Sequence, residues 1–366
     1  SYDVFFPAVS SASWVGSIRW AVAGALILPQ AIVLGTTFPL MAAGLVRADP
    51  AHPGGSVAQA YLLNTLGGAS GVLLAGFFLI GWVGLPGTAV VAAVLNLIAA
   101  ALVWHFVPSS GLMGPEKPAA EEAALPDRTT TDVPPSLIPI LLTVAFGTAV
   151  ASFAYEIGWI RMLSLVLGSA THSFEVMLSA FILGIALGAW LIRRRADMTG
   201  DRLRLLGFVQ VLMGLTALLS LPIYLGSFDI MAGLIRTFSS RDGGYLWFNV
   251  GRYGLSLMVM LPSTILAGMT LPLLTAALID GGAGERVIGR VYGFNTLGSV
   301  VGAGVAGLFA LPLLGLEGLI AWGAGLDVAL GLWMLERSGR WSGRGPRVAL
   351  GVAGASAVIF VGITGS

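Results

Sequence analysis

Five ionisable residues lie within or at the edge of long apolar stretches, and these residues are where the sequence could do chemistry. One stretch carries Glu156 and Arg161, the next begins with His172 and Glu175, and a later one contains Asp327. Burying a charge in an apolar environment is costly and usually serves a purpose. Carboxylates placed in this way can neutralise a cation, bind a proton or tie two helices together.

The spacing of these charges suggests which of them pair. Glu156 and Arg161 are five residues apart, so they lie about 140° apart around a helix and are poor mutual partners. We therefore expect Arg161 to reach Glu175 or His172 across the short turn 167–171. Such a cluster can be a structural ion pair that locks two helices, or part of a binding site, and the sequence leaves both interpretations open.

The composition indicates what surrounds these residues. Of 366 residues, 56% are hydrophobic and 10% are charged, and the mean hydropathy is +0.89. Soluble domains carry about 25% charged residues, so most of this surface must face a lipid bilayer. A net charge of +1 without a basic patch argues against nucleic-acid binding. The chain has no cysteine, and its three histidines lack metal-ligand spacing, so we expect no thiol chemistry, metal or cofactor.

The apolar stretches are long enough to span a membrane, which takes about 20 residues. The sequence predicts ten spans, at 17–43, 60–82, 86–107, 137–166, 171–192, 203–226, 249–279, 290–312, 316–335 and 347–364. Arginines in the loops around 193–204 and 337–347 mark the cytoplasmic side. We therefore expect a multi-pass protein of the cell inner (plasma) membrane.

An internal repeat is the strongest signal in the sequence. Arg19, Pro29 and Pro39 lie 233 positions before Arg252, Pro262 and Pro272, and the intervening residues are similar. The next stretch matches at an offset of 231, where Tyr-Leu-Leu-Asn-Thr-Leu-Gly at 61–67 pairs with Tyr-Gly-Phe-Asn-Thr-Leu-Gly at 292–298. The change of offset falls in the loops, where length varies most.

The repeat predicts the domain organisation. The second copy begins near Leu137 and contains six helices, and its counterpart would begin before residue 1, so we expect only the last three helices of the first copy. An even number of helices makes the copies parallel, as in major-facilitator proteins. The resulting domains are 1–107 (end of the first repeat), 108–135 (polar linker), 136–336 (second repeat) and 337–366 (basic connection and final helix).

Further candidate residues occur at equivalent positions of the two copies. Asp327 corresponds to Asn96, and it can bind a cation or proton or be a satisfied bundle residue. Tyr292 and Asn295, like their counterparts in the first copy, begin a helix, so they serve either the architecture or a binding site. The Gly-x-Gly-x-x-Gly pattern at 302–307 lies within an apolar helix and has no preceding strand, so it indicates helix packing and not dinucleotide binding.

Several motifs carry a resemblance to a known family. Glu156–Ser169, Phe181–Gly188, Gly268–Leu274 and Tyr292–Gly302 occur in an order that resembles the membrane domain of bacterial fused major-facilitator/spermidine synthase-like proteins. The resemblance implies a membrane domain that is often joined to a C-terminal aminopropyltransferase-like domain. The glycine-rich loop and catalytic aspartates of such a domain have no counterpart in this sequence, so we expect no enzyme activity.

Two functions fit these observations. The first is a transporter-like domain that handles a small cationic solute such as a polyamine, with substrate-binding candidates Glu156, Arg161, His172, Glu175, Tyr292, Asn295 and Asp327. The second is a non-transporting scaffold that anchors an enzyme or packs against other membrane protein subunits of a larger complex. The incomplete first repeat favours the second function, and the buried carboxylates favour the first.

Overall fold

The structure is a computed structural model that describes residues 14–106, 137–168, 171–196, 201–238, 244–279 and 286–338. Every regular element in these ranges is helical, as the composition predicts. The α-helices are α1 (Trp14–Ala48), α2 (Pro53–Leu74), α3 (Ile80–Phe106), α4 (Leu137–Leu167), α5 (Thr171–Ile192), α6 (Arg202–Phe238), α7 (Gly244–Leu278), α8 (Arg286–Val305) and α9 (Leu311–Arg337). Short π-helical turns join α2 to α3 (Ala75–Leu79) and α8 to α9 (Ala306–Ala310).

Within these ranges, seven helical stretches are long and apolar enough to cross a membrane. Two of them, Pro53–Phe106 and Val287–Arg337, each combine two of the spans predicted from the sequence. A straight helix of 54 residues would be roughly 80 Å long, far more than the bilayer core of about 30 Å. The last predicted span, 347–364, lies outside the described residues, as do the linker 108–135 and the connection after 338.

Each of these two long stretches bends sharply at a glycine. Gly84 (φ 69°, ψ 178°) and Gly315 (φ 70°, ψ −173°) have backbone angles far from those of a helix. Positive φ values of this kind suit glycine because it has no Cβ. The two glycines lie 231 residues apart, and so do the two π-helical turns. The sequence matches at this same offset.

The packing is uneven along the chain. In the most apolar 18-residue segment of each of α4, α5, α6 and α7, at least half of the residues are buried against other helices, and in α4 61% are. In the most apolar 18-residue segment of α1 only 6% of the residues are buried, and in that of the stretch 53–106 none are. The largest buried side chains, among them Trp159, Met162, Met213 and Met260, fill the space between α4, α6 and α7. The core of the described chain therefore lies in its second half.

Helices α5 and α7 cross with their backbones in direct contact. A Cβ atom added to Gly188 would overlap the carbonyl oxygen of Ile265 and lie 2.9 Å from the Cα atom of Gly268. A Cβ atom added to Gly268 would overlap the carbonyl oxygen of Ile185. Small residues allow this approach, which drives helix association in membranes through van der Waals packing.

Gly188→Ala is therefore expected to destabilise the protein by about 1–3 kcal/mol, because the methyl group meets backbone atoms that cannot rotate away. Thermal unfolding in detergent measures the change. Gly293→Ala in α8 is the matched control, since its added methyl group meets nothing within 4 Å. A Gly188→Ala protein as stable as this control would contradict the crossing described above.

Candidate functional site

A cavity of about 230 Å³ lies among α2, α4, α5, α7 and α8. It is thus bordered by one helix from the first half of the chain and four from the second. Its wall is partly apolar, with Phe153, Phe181 and Leu271 among the lining residues. The polar lining consists of hydroxyl groups, one amide and one carboxylate, from Tyr61, Thr148, Ser152, Glu156, Thr270, Asn295 and Ser299.

Glu156 supplies the carboxylate of this cavity from the middle of α4. The side chain is half-buried, and within the described part of the chain it makes no hydrogen bond or ion pair. The cavity lining includes no basic residue. An unpaired carboxylate in an apolar surrounding is unfavourable unless it finds a positive charge or a proton. The cavity therefore has the electrostatic character of a site for a small cation.

A buried hydrogen-bond chain supports one wall of the cavity. The hydroxyl group of Thr148 donates to Oε1 of Gln210 at 3.3 Å, and Nε2 of Gln210 donates to Oγ1 of Thr270 at 3.5 Å. Gln210 is fully buried on α6, so it holds two cavity-lining hydroxyl groups on different helices. Gln210 was not among the predicted site residues, although an uncharged amide in the middle of a predicted span is a recognisable signal for an interhelical contact.

Asp327 does not reach the cavity. It is fully buried on α9, where the hydroxyl group of Tyr155 donates to its Oδ2 atom at 2.7 Å. Its Oδ1 atom has no hydrogen-bond partner among the described residues. Tyr155 stacks on Trp159, with ring centroids 5.3 Å apart, and the indole N–H of Trp159 donates to Ser220 at 2.8 Å. Tyr155 and Glu156 are consecutive on α4 and so face different sides of the helix, and of the two carboxyl groups only that of Glu156 lines the cavity.

Tyr155→Phe is expected to destabilise the protein by about 1–3 kcal/mol, because the buried Asp327 carboxyl group would lose the hydroxyl group that donates to its Oδ2 atom at 2.7 Å. Tyr224→Phe is the matched control, since Tyr224 is also buried but its hydroxyl group makes no hydrogen bond within the described ranges. Denaturation in detergent should separate the two variants. Equal stabilities would show that the Tyr155–Asp327 hydrogen bond is energetically unimportant.

His172 and Glu175 form a second cluster, and its partners differ from the expected ones. Nδ1 of His172 lies 2.9 Å from Oε2 of Glu175, and the His172 ring stacks on Phe77 with centroids 5.0 Å apart. The Glu175 carboxyl group packs directly against Gly76, where a Cβ atom would overlap it. This cluster therefore fastens α5 to the π-helical turn after α2.

The expected contact between Arg161 and Glu175 or His172 is not formed within the described residues. Arg161 is exposed on α4, whereas Glu175 is 8% exposed and points toward the first half of the chain. The expected pairing rested on the turn between α4 and α5 alone, whereas Glu175 meets the π-helical turn Ala75–Leu79 from the first half of the chain.

The remaining candidates divide between the cavity and its edge. Asn295 lines the cavity, as does Tyr61. Tyr292 lies beside it, half-buried, with its ring centroid 5.2 Å from that of Phe38. Of the seven residues predicted as substrate-binding, the structure brings only Glu156 and Asn295 into one cavity.

Arg252 is a buried cation at the end of α4. One guanidinium nitrogen donates to the carbonyl oxygen of Leu167 at 3.0 Å and also to Ser173, and another donates to Oδ1 of Asn249 at 3.2 Å. The guanidinium group also lies 5.6 Å from the ring centroid of Phe248. A cation at the C-terminus of a helix is favoured by the helix dipole. Arg252 is 6% exposed, and it joins α7 to the turn between α4 and α5.

A larger recess of about 500 Å³ opens at the ends of α1, α2 and α5, lined by Asp49, His52, Gln59, Arg193 and Arg194. Some of the charged side chains that line this recess already have a partner within it. His52 lies 3.1 Å from Asp49, and Arg193 donates to Gln59 at 2.8 Å. We therefore consider the smaller interior cavity, with its unpaired carboxylate, the better candidate site.

The described residues contain no group of three or more His, Cys, Asp or Glu side chains placed to hold a metal ion. Comparisons with protein-family models, curated proteins and solved structures find no match to this chain. The function must therefore be argued from the cavity and the fold.

Proposed function

We propose that this chain is a transporter-like membrane domain that binds a small cationic solute in the cavity at Glu156. The observation that carries the proposal is the unpaired Glu156 carboxylate in a cavity between the first and second halves of the chain. Intramembrane ionisable residues that face a cavity commonly mark substrate and ion pathways. Transporters built from repeats bind their substrates at the interface of the repeats.

The architecture we propose is a major-facilitator-like arrangement of two parallel six-helix repeats, of which the first is represented by its last three helices. The equal spacing of the two glycine bends and the two π-helical turns supports this arrangement. It would give the stretches Pro53–Phe106 and Val287–Arg337 two membrane crossings each. The resemblance to the membrane domain of fused major-facilitator/spermidine synthase-like proteins agrees with it, and we place the protein in the inner membrane as part of the same proposal. The proposal involves no enzymatic step.

The size and lining of the cavity favour a particular class of solute. A volume of about 230 Å³ is below the range of roughly 300–1,000 Å³ typical of drug-sized ligands. Ammonium groups donate three hydrogen bonds and accept none. Hydroxyl and amide oxygens from Ser152, Asn295 and Ser299, together with Glu156, offer matching acceptors. A slender organic amine such as a polyamine fits both constraints.

Uptake into proteoliposomes tests this function. Radiolabelled putrescine and spermidine should accumulate in vesicles that contain the protein, above the level in protein-free vesicles. Unlabelled amine should compete, whereas a neutral solute of similar size should not. If neither amine enters or binds, with the protein shown to be folded by its thermal unfolding, the proposed function is wrong.

The scaffold function has one observation in its favour, which is the exposure of α3 and of the first two-thirds of α1 on nearly all faces. A subunit that anchors another membrane protein would offer such surfaces. The two functions predict different results after gentle purification from the native membrane. A scaffold would co-purify with a membrane partner in fixed stoichiometry and would not transport amines.

A further inference from the structure

The recess at the ends of α1, α2 and α5 combines a ligand-sized volume with an excess of positive charge. Its volume of about 500 Å³ lies within the range of roughly 300–1,000 Å³ that is typical of ligand pockets. Arg193, Arg194 and Asp49 are its charged lining residues, and His52 also lines it. With His52 neutral, two positive charges face one negative charge. A ligand of this recess should therefore be an anion, in contrast to the cation proposed for the Glu156 cavity.

Arg193 is held in position by the opposite wall of the recess. One of its guanidinium nitrogens donates to Oε1 of Gln59 on α2 at 2.8 Å, and the residue is half-buried. A guanidinium group carries five N–H donors in a fixed planar fork. Within the described ranges, the Arg193 side chain makes no other hydrogen bond or ion pair. Its remaining donors are therefore available to a ligand in the recess.

Two further donor groups line the recess without a partner. Arg194 is exposed, and its side chain makes no hydrogen bond or ion pair in the part of the chain that the structure describes. The hydroxyl group of Ser56 likewise has no partner there. Asp49, in contrast, lies 3.1 Å from Nδ1 of His52. Arginine and hydroxyl donors around one space suit a phosphate group, because the planar guanidinium fork matches two phosphate oxygens.

The position of the recess favours a lipid as the carrier of this phosphate. The recess lies at the ends of helices that are long and apolar enough to cross a membrane, on the side that the arginines after α5 mark as cytoplasmic. Within about one helical turn of the recess, large apolar side chains are exposed on two of its helices, Leu40 and Met41 on α1 and Trp190 and Leu191 on α5. Basic pockets between membrane helices on the cytoplasmic side bind anionic lipid headgroups. Acyl chains would lie along the exposed apolar side chains.

We propose that this recess binds a phosphate group, and that an anionic phospholipid of the cytoplasmic leaflet carries it. Arg193 and Arg194 pair with the phosphate oxygens, and the hydroxyl group of Ser56 donates to the headgroup. Because α1 and α2 belong to the first half of the chain and α5 to the second, the lipid joins the two halves at the membrane surface. The site is separate from the Glu156 cavity and takes a ligand of opposite charge, so it does not depend on amine transport.

Native mass spectrometry of the detergent-solubilised protein, with added lipid, measures this binding. Phosphatidylglycerol should bind at one site per chain and more tightly than phosphatidylcholine, whose headgroup has no net charge. Arg194→Gln should weaken the binding of phosphatidylglycerol about fivefold, and combining it with Arg193→Gln should weaken it at least about tenfold. Arg290→Gln is the matched control, because Arg290 is also exposed but does not line the recess. It should leave the affinity unchanged.

A substitution of opposite sign separates local binding from a general attraction to charge. Asp49→Asn removes the negative charge of the recess and should strengthen phosphatidylglycerol binding up to about fivefold. Arg194→Gln removes no contact within the described residues, so it should leave the midpoint of thermal unfolding unchanged and its effect cannot be ascribed to misfolding. Equal binding of the two lipids, or an affinity that neither Arg194→Gln nor Asp49→Asn changes, would overturn the proposal.

Glycerol 3-phosphate distinguishes a lipid from a soluble phosphate ester. It carries a phosphate group without acyl chains, so at millimolar concentration it should not displace phosphatidylglycerol. Displacement that depends on Arg194 would show that the recess is a phosphate site but that the lipid is the wrong carrier. A failed amine-uptake assay would leave all of these measurements valid, because none of them involves Glu156.

Discussion

Glu156→Gln is expected to reduce the uptake of a cationic amine at least tenfold. The substitution keeps the size of the side chain and one acceptor oxygen, but it removes the negative charge that would pair with the solute. Loss of one partner of a buried, hydrogen-bonded charge pair costs about 2–5 kcal/mol, and 1.4 kcal/mol already corresponds to a factor of ten in affinity. Equilibrium binding of labelled putrescine to the detergent-solubilised protein measures the change without the kinetics of transport.

The control for this prediction removes the same charge elsewhere. Glu336→Gln neutralises an exposed carboxylate at the end of α9, and it should leave amine binding unchanged. The folded state of Glu156→Gln should be at least as stable as that of the wild type, because an unpaired, half-buried charge has been removed. Wild-type amine binding in Glu156→Gln would place the solute elsewhere and would remove the main support for a transport function.

Arg252→Met is expected to cause the largest loss of stability, about 3–5 kcal/mol. The guanidinium group binds the last carbonyl of α4, a hydroxyl group of α5 and an amide group of its own helix. Its removal leaves buried polar groups without their donor, and the cost resembles that of breaking a buried charged network. Arg252→Lys should recover only part of the loss, because an ammonium group cannot reproduce the planar fork of donors.

Thermal unfolding and yield after purification measure this effect. Arg236→Met is the control, because Arg236 is exposed on α6 and, among the residues that the structure describes, makes only a long contact, 3.3 Å, to the carbonyl oxygen of Ala232. It should shift stability by less than about 0.5 kcal/mol. If Arg252→Met is no less stable than Arg236→Met, the guanidinium network does not hold α4 and α5 to α7.

Hydropathy was sufficient to predict most of the fold. The spans predicted at 137–166 and 171–192 agree with α4 and α5 to within one residue. The prediction at 203–226 stopped short of the end of α6 at Phe238, because the last three turns carry Asp229 and Arg236 and lower the mean hydropathy. The helical character of the described residues is confirmed, and seven of their helical stretches are long and apolar enough to cross a membrane, whereas the parallel repeats and the number of crossings stay predictions.

The site was less predictable, because it depends on which faces of different helices meet. Glu156 could be found, since a carboxylate in an apolar stretch is a local signal. It could not be predicted that Glu156 lines the cavity and Asp327 does not, because this depends on how α4 is rotated between α8 and α9. The role of Tyr155 was equally hidden, because an aromatic residue in a membrane helix is usually a packing residue. Tyr292 was predicted by its repeat relation to Tyr61, yet only Tyr61 lines the cavity.

The bends at Gly84 and Gly315 have a consequence for how the topology can be mapped. On the proposed architecture, α2 with α3 and α8 with α9 are helical hairpins, so both ends of each pair lie on the same side of the bilayer and each bend lies on the opposite side. A reporter placed before Pro53 should therefore report the same side as one placed after Phe106, and the two ends of the stretch Val287–Arg337 should likewise agree.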